Sequence, residues 1–185
     1  MIEIKISGRG GQGVVLASQI LAMAFFKCGR WVQAFPSFGA ERRGAPVSAF
    51  VRANREEMTL RCGIYHPAWI ILFDPYLLES SVALSGIREK GSLLMNGKER
   101  PKGMKIPGGV HFFVVDAIAI AHGLGLGSAT SPIVNTAMAG AFAGASNLIT
   151  IESVVESIRE TVPAQREKNE MAAREAYNLV KAIVL

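Results

Sequence analysis

Only two cysteines, Cys28 and Cys62, stand in a chain of 185 residues. A protein-bound iron-sulfur cluster wants four thiolates at tight spacing, so this chain holds none, and neither cysteine belongs to a Cys-x-x-Cys pair. Each falls in an apolar run, which reads as two buried, reduced thiols in a cytoplasmic protein. Charge is scarce as well. Half of the residues are hydrophobic and 19% are charged, a balance that leaves apolar surface for a subunit interface beyond the core. An obligate partner is expected. No Asp, Glu, Lys or Arg occurs between Ala117 and Ile151, yet Gly123, Gly125, Gly127 and Pro132 interrupt that stretch. Ser, Thr, Asn and Ala dominate it, so it reads as a closely packed helix region and no membrane span is expected. Met1 to Ile6 alternates like a strand and lacks the apolar block of a signal peptide, so export is not expected either. There is no basic helix, zinc-finger spacing or strand of interleaved basic and aromatic residues, which argues against nucleic acid. The net charge of +5 still calls for acidic partners of some kind.

What is present is an alternation of strand and helix signals. Ile2 to Ile6 reads as a strand, Gly8 to Gly13 as a tight loop and Val14 to Cys28 as a helix stopped by Gly29. Trp31 to Phe35 reads as a second strand cut by Pro36. Val47 to Arg52 and Met58 to Cys62, separated by the polar turn Asn54-Arg55-Glu56-Glu57, read as an antiparallel hairpin. Trp69 to Phe73 is an apolar run of buried-strand length, ended by Asp74-Pro75, with helical spacing over Tyr76 to Leu84 behind it. Ser92 to Met95 and Val110 to Val115 are two more strands, joined by a connection carrying Lys98, Arg100, Lys102 and Lys105. Helices are expected over Ile133 to Ser146, Ile151 to Thr161 and Ala164 to Val184. In the first of these, Ala137, Ala141 and Ala145 form one stripe and Gly140 and Gly144 another, and such stripes let another backbone approach closely. The whole predicts a single α/β domain over 1–185, a three-layer α/β/α Rossmann-like arrangement with a mixed, mostly parallel sheet.

Two segments carry chemistry. Gly8-Arg9-Gly10-Gly11-Gln12-Gly13 fits Gly-x-Gly-x-x-Gly between a strand and a helix, where glycines permit close backbone approach and free N–H groups at the helix start favour an anion. A nicotinamide site also needs a carboxylate at the tip of the second strand for the ribose hydroxyls. That strand ends Gln33-Ala34-Phe35-Pro36 with none, which weighs against a free-standing NAD(P)-binding oxidoreductase, the alternative reading of the loop. The second segment is Gln33-Ala34-Phe35-Pro36-Ser37-Phe38-Gly39-Ala40-Glu41-Arg42-Arg43-Gly44-Ala45-Pro46-Val47, a wording that periodicity and turn chemistry do not explain. His66, His111 and His122 have no metal-ligand spacing, and no residue stands out as catalytic.

Taken together, the two segments closely resemble the gamma subunits of 2-oxoacid:ferredoxin oxidoreductases. The likeness continues through Ser48 to Arg52, Ile70 to Pro75 and the Asn135 region. The resemblance implies a subunit, inactive alone, of a cytoplasmic enzyme that decarboxylates a 2-oxoacid oxidatively to an acyl-coenzyme A and passes electrons to ferredoxin. It implies companion alpha, beta and ferredoxin-like delta subunits, with thiamine diphosphate, Mg and the iron-sulfur clusters on those companions. This chain agrees in having no Gly-Asp-Gly motif and no cysteine ladder. By resemblance, coenzyme A contacts fall on Gly8, Gly10, Gly11, Gln12 and Gly13, on Arg42 and Arg43, and on Asn135. An ion pair with Glu41 or with a neighbouring subunit is the other reading of the two arginines. By the same resemblance, the Ala34-Phe35-Pro36-Ser37-Phe38-Gly39 and Glu41-Arg42-Arg43-Gly44-Ala45-Pro46 wording within the second segment is typical of the pyruvate and branched-chain 2-oxoacid types, with pyruvate first and 2-oxoisovalerate next.

Overall fold

The computed structural model describes residues 1–37, 45–79 and 83–183. Strand β1 (Ile2–Arg9) turns through the glycine loop into α1 (Val14–Lys27), and Gly29, at φ 75°, ends that helix as its sequence position requires. Then come β2 (Trp31–Ser37), β3 (Pro46–Asn54), β4 (Trp69–Leu72), a short 3-10 turn (Pro75–Glu79), β5 (Ser92–Asn96) and β6 (His111–Val115). After them lie α2 (Ala117–Leu124), a small hairpin of β7 (Gly127–Ser128) and β8 (Ser131–Pro132), α3 (Asn135–Ser146), α4 (Ile151–Thr161), α5 (Arg166–Leu179) and β9 (Lys181–Ile183).

Seven strands form one mixed sheet in the order β2-β3-β1-β4-β5-β6-β9. β1, β4, β5 and β6 are parallel neighbours, while β3 runs antiparallel between β1 and β2, and β9 antiparallel on β6. The expected α/β fold with a mixed, mostly parallel sheet is therefore present. Its two faces are covered unequally. Residues from all five helices join Ile4, Ile6, Val51, Ile71 and Leu94 in one large apolar cluster. On the other face Ile70, Leu72, Leu93, Met95 and Phe112 pack beneath Leu77 of the 3-10 turn and Met104 of the 97–110 connection.

Five local expectations change. The hairpin between Val47–Arg52 and Met58–Cys62 does not form, because β3 is paired on one side by β1 and on the other by β2. Residues 60–63 instead dock through side chains: Arg52 donates to the Cys62 and Gly63 carbonyls and Gln33 Nε2 to the Leu60 carbonyl. The Cys62 Sγ also lies 3.9 Å from Arg52 Nη2, yet the residue as a whole stays at the surface. Cys62 is exposed and Cys28 half-buried, against the expectation of two buried thiols. Pro36 does not cut β2, since β2 is the edge strand and a missing N–H costs nothing there. The helical spacing after Pro75 yields only the 3-10 turn. The last helix stops at Leu179, and Val180 turns extended so that β-branched Ile183 can pair with Phe112.

Within the uncharged stretch, α3 does what its small residues foretell. A methyl group on Gly140 would sit 2.0 Å from the Ala173 carbonyl oxygen, and one on Gly144 2.6 Å from that of Tyr177, so α3 and α5 meet backbone to backbone. Phe142 of α3 also packs on Phe25 of α1, with ring centroids 6.1 Å apart, and edge-on against Trp69 of β4 at 5.1 Å. These contacts lay α3 beside α1. Among the described residues, no helix is long and apolar enough to cross a membrane.

Candidate functional site

Because β1 hands the chain to α1 on one side of the sheet and β4 continues on the other, the order of strands reverses next to β1. A crevice at the carboxyl ends of the strands is expected at such a switch. The glycine loop lies there. Arg9 N–H donates to the Gln12 side-chain carbonyl at 2.8 Å and Gln12 N–H to the Arg9 carbonyl at 3.1 Å, which closes the turn. Gln12 thus acts first as a brace. Gly11 (φ 99°) and Gly13 (φ 79°) take left-handed conformations that favour glycine. Gly8 has no room for a side chain, since a methyl there would meet Val14, Gln12 and Phe73 within 3.0 Å.

The same loop brings in a distant residue. A methyl on Gly13 would lie 2.5 Å from Asn135 Nδ2, and Asn135, 3% exposed, begins α3 with its side-chain carbonyl on the Thr136 N–H at 2.8 Å. Neither α1 nor α3 has a side-chain cap from its N-cap residue or an acid in its first turn. Two helix N-termini therefore converge at one point of the sheet edge, each carrying backbone N–H groups and the positive end of a dipole. An anion is the group such a point is suited to hold.

Gly8, Gly10, Gly11, Gln12, Gly13 and Asn135 are brought together. Arg42 and Arg43 lie outside the described residues, but both sides of their segment are placed. Ser37 ends β2 in register with Ser48 of β3 and through it with Ser7 of β1, and Gly10 N–H donates to the Ala45 carbonyl at 3.0 Å. That segment leaves and rejoins the described chain at the glycine-loop edge.

Sequence reasoning passed over three residues here. Arg9 Nε is bonded to Asp74 Oδ2, Asp74 Oδ1 accepts the Tyr76 N–H at 2.9 Å, and Asn96 Nδ2 donates to the Phe73 carbonyl at 2.9 Å. Asn96 Oδ1 in turn accepts the Ala117 N–H at 3.0 Å, tying β5 to the start of α2. The signal for the first two was available, since Arg9 stands inside the glycine motif and Asp74 closes the first buried parallel strand. Asn96 gave none beyond its place at a strand end. Away from the loop, a cavity of about 840 Å³ opens between the 3-10 turn and residues 101–107, lined by Tyr76, Leu78, Leu84, Met104 and two lysines. It contains no glycine-loop residue, so the converging helix termini, not this hollow, mark the candidate site. Among the described residues, no group of His, Cys, Asp and Glu could hold a metal ion.

Comparison with known proteins decides the family. The model of pyruvate ferredoxin/flavodoxin oxidoreductase matches residues 3–179. This chain belongs to that family, among its gamma-type subunits. It is 46% identical to the pyruvate synthase subunit PorC of Methanocaldococcus jannaschii, over 96% of both chains. It is 45% identical to the pyruvate/ketoisovalerate oxidoreductases common subunit gamma of Thermococcus kodakarensis, again over 96% of both. The crystal structure of pyruvate oxidoreductase subunit PORC from Thermotoga maritima superposes with a TM-score of 0.84 at 33% identity, covering 99% of this chain and 98% of that one. A more distant likeness, which carries the fold alone, is to the 2-oxoglutarate:ferredoxin oxidoreductase of Magnetococcus marinus. It has a TM-score of 0.72 at 20% identity, over 96% of this chain and 30% of that longer one. The chain is thus a subunit of an oxidoreductase complex, and nothing in these likenesses supports a free-standing NAD(P)-dependent enzyme.

Proposed function

We propose that this subunit, acting as one domain over 1–185 in the cytoplasm, supplies coenzyme A contacts and assembly surface to a 2-oxoacid:ferredoxin oxidoreductase. The observation that carries the reading is the meeting of Gly13 with Asn135 at two converging helix N-termini. Coenzyme A bears a diphosphate and a ribose phosphate, groups suited to such termini and to arginine forks. In this reading Gly8, Gly10, Gly11 and Gly13 let the backbone approach the phosphates, Gln12 braces the loop, Asn135 offers its amide, and Arg42 and Arg43 add charge from the adjoining segment. Alpha, beta and ferredoxin-like delta companions carry thiamine diphosphate, Mg and the iron-sulfur clusters. Those groups supply decarboxylation and electron transfer to ferredoxin, while this chain orients the acyl acceptor.

Pyruvate is the first-choice substrate and 2-oxoisovalerate the second. The Thermococcus relative is named as a subunit common to pyruvate and ketoisovalerate oxidoreductases, which supports a gamma chain that leaves the choice of oxoacid side chain to its companions.

The test uses the assembled complex. Gly13→Ala forces a methyl against Asn135 in a left-handed conformation, so the Michaelis constant for coenzyme A should rise about tenfold or more. Oxoacid decarboxylation without coenzyme A should stay near normal. Arg42→Ala/Arg43→Ala should act in the same sense, removing charge-assisted bonds worth about 1.5 to 3 kcal/mol each. Unchanged coenzyme A dependence in both variants, with the complex intact on a sizing column, would remove the loop from the functional account.

A further inference from the structure

Within the glycine loop stands a cation. Arg9 is the second residue of Gly8-Arg9-Gly10-Gly11, its side chain is 40% exposed, and its Nε is bonded to the Asp74 carboxylate, whose side chain is only 10% exposed. A guanidinium keeps its charge at any physiological pH and presents its donors in a rigid plane, so one carboxylate on Nε fixes the orientation of the whole group.

Asp74 is itself held in place. Its second oxygen accepts the Tyr76 N–H at 2.9 Å. The residue before it is fixed twice, by Phe73 N–H on the Ser7 carbonyl at 2.8 Å and by Asn96 Nδ2 on the Phe73 carbonyl at 2.9 Å. Ser7 and Arg9 are both β1 residues that lead into the loop. Asp74 therefore couples the ends of β1 and β4 on either side of the switch point. A largely buried carboxylate beside an anion site is unfavourable unless it serves a cation there, because like charges in such a place repel.

We propose that Arg9 is a phosphate-binding residue of the glycine loop and that Asp74 is the residue that positions it. The ligand class is a phosphate ester or diphosphate. The inference rests on the coenzyme A reading given above and adds to it a cation inside the loop itself, independent of Arg42 and Arg43.

Four variants of the assembled complex test it: Arg9→Gln, Asp74→Asn, the two combined, and Arg9→Lys. Steady-state rates are measured with coenzyme A varied and oxoacid saturating, alongside decarboxylation without coenzyme A. Arg9→Gln should raise the Michaelis constant for coenzyme A about ten- to a hundredfold, the loss of one charge-assisted bond, with decarboxylation unchanged. Arg9→Lys should recover part of that. Asp74→Asn should raise the constant severalfold in the presence of Arg9 and leave it unaltered in the Arg9→Gln background, since its effect passes through the guanidinium. A merely structural role predicts equal effects in both backgrounds, and that result would overturn the positioning claim. The combined variant removes both members of the ion pair together, so no uncompensated, largely buried carboxylate is left to unfold it. If it assembles with a wild-type coenzyme A constant while Gly13→Ala raises that constant, Arg9 is excluded and the glycine-loop reading stands. If neither changes it, both fall.

Discussion

Glycine does two opposite things in this molecule. In the loop, Gly11 and Gly13 take φ of 99° and 79°, and Gly11 has nothing within 4 Å of where a side chain would begin. There the residue is needed for the conformation it adopts. In α3, Gly140 and Gly144 have ordinary helical backbones, and what matters is the missing atom, because α5 occupies its place. Each α3 glycine costs about 1 kcal/mol of helix propensity relative to Ala, a cost offset by the packing it permits. The lesson is that one residue type marks a ligand crevice in one region and a seam in the other. Only the neighbours distinguish them.

Gly140→Ala should have the largest effect. Its methyl would press on the Ala173 carbonyl at 2.0 Å, backbone against backbone, and neither helix can yield without parting from the other. Overpacking typically costs about 1 to 3 kcal/mol, and a clash of this kind belongs at or above the top of that range even after the gain in propensity. Urea unfolding of the chain would measure it. The damage should also reach the candidate site, since Thr136 Oγ1, one residue beyond Asn135, donates to Asn169 Oδ1 of α5 at 2.9 Å. A stable, active Gly140→Ala protein would mean that the seam is looser than its geometry.

Gly11→Ala probes the other use and should cost less. No atom obstructs the new methyl, so the penalty is the backbone strain of a non-glycine residue at positive φ, about 1 to 2 kcal/mol. Gly11→Asn should cost less still, because Asn tolerates that region better. If Ala and Asn destabilise equally, conformation is not what the loop asks of this residue.

These contrasts bear on how much was legible beforehand. The β1-loop-α1 unit could be read because three signals coincide: the alternation of Ile2, Ile4 and Ile6, the glycines, and an apolar helix stopped by Gly29. The small-residue stripe of α3 could be read as a close-approach surface, but not its partner, since α5 shows no complementary pattern beyond Ala172, Ala173 and Ala176. The hairpin at 58–62 misled because β-propensity says nothing of which edge is vacant, and both sides of β3 were already taken. Asn135 could be placed at the site only through family likeness, for 122 residues separate it from Gly13 and no local rule spans that gap. Arg9 and Asp74 each stand at a place the sequence marks, but they lie 65 positions apart and no local rule pairs them.

The smallest effect should come from the surface of the same α5 helix that forms the seam. Arg159 of α4 donates through Nε and Nη2 to the two carboxylate oxygens of Glu170, each at 2.8 Å, and that bonding holds the Glu170 carboxyl below its ordinary value of 4.5. Depression of a folded-state carboxylate pKa gives a contribution that is complete above the ordinary value and lost as pH falls through the lowered one. The pair lies at the surface, with the Arg159 side chain 59% exposed, so water and salt screen most of it. Glu170→Gln should therefore lower the urea midpoint slightly at neutral pH, less at high salt, and not at all in acid where the wild-type carboxyl is already protonated. Should this variant instead weaken the fold as much as Gly140→Ala, α5 would be held by charge and not by backbone fit, and the contrast between seam and loop would lose its basis.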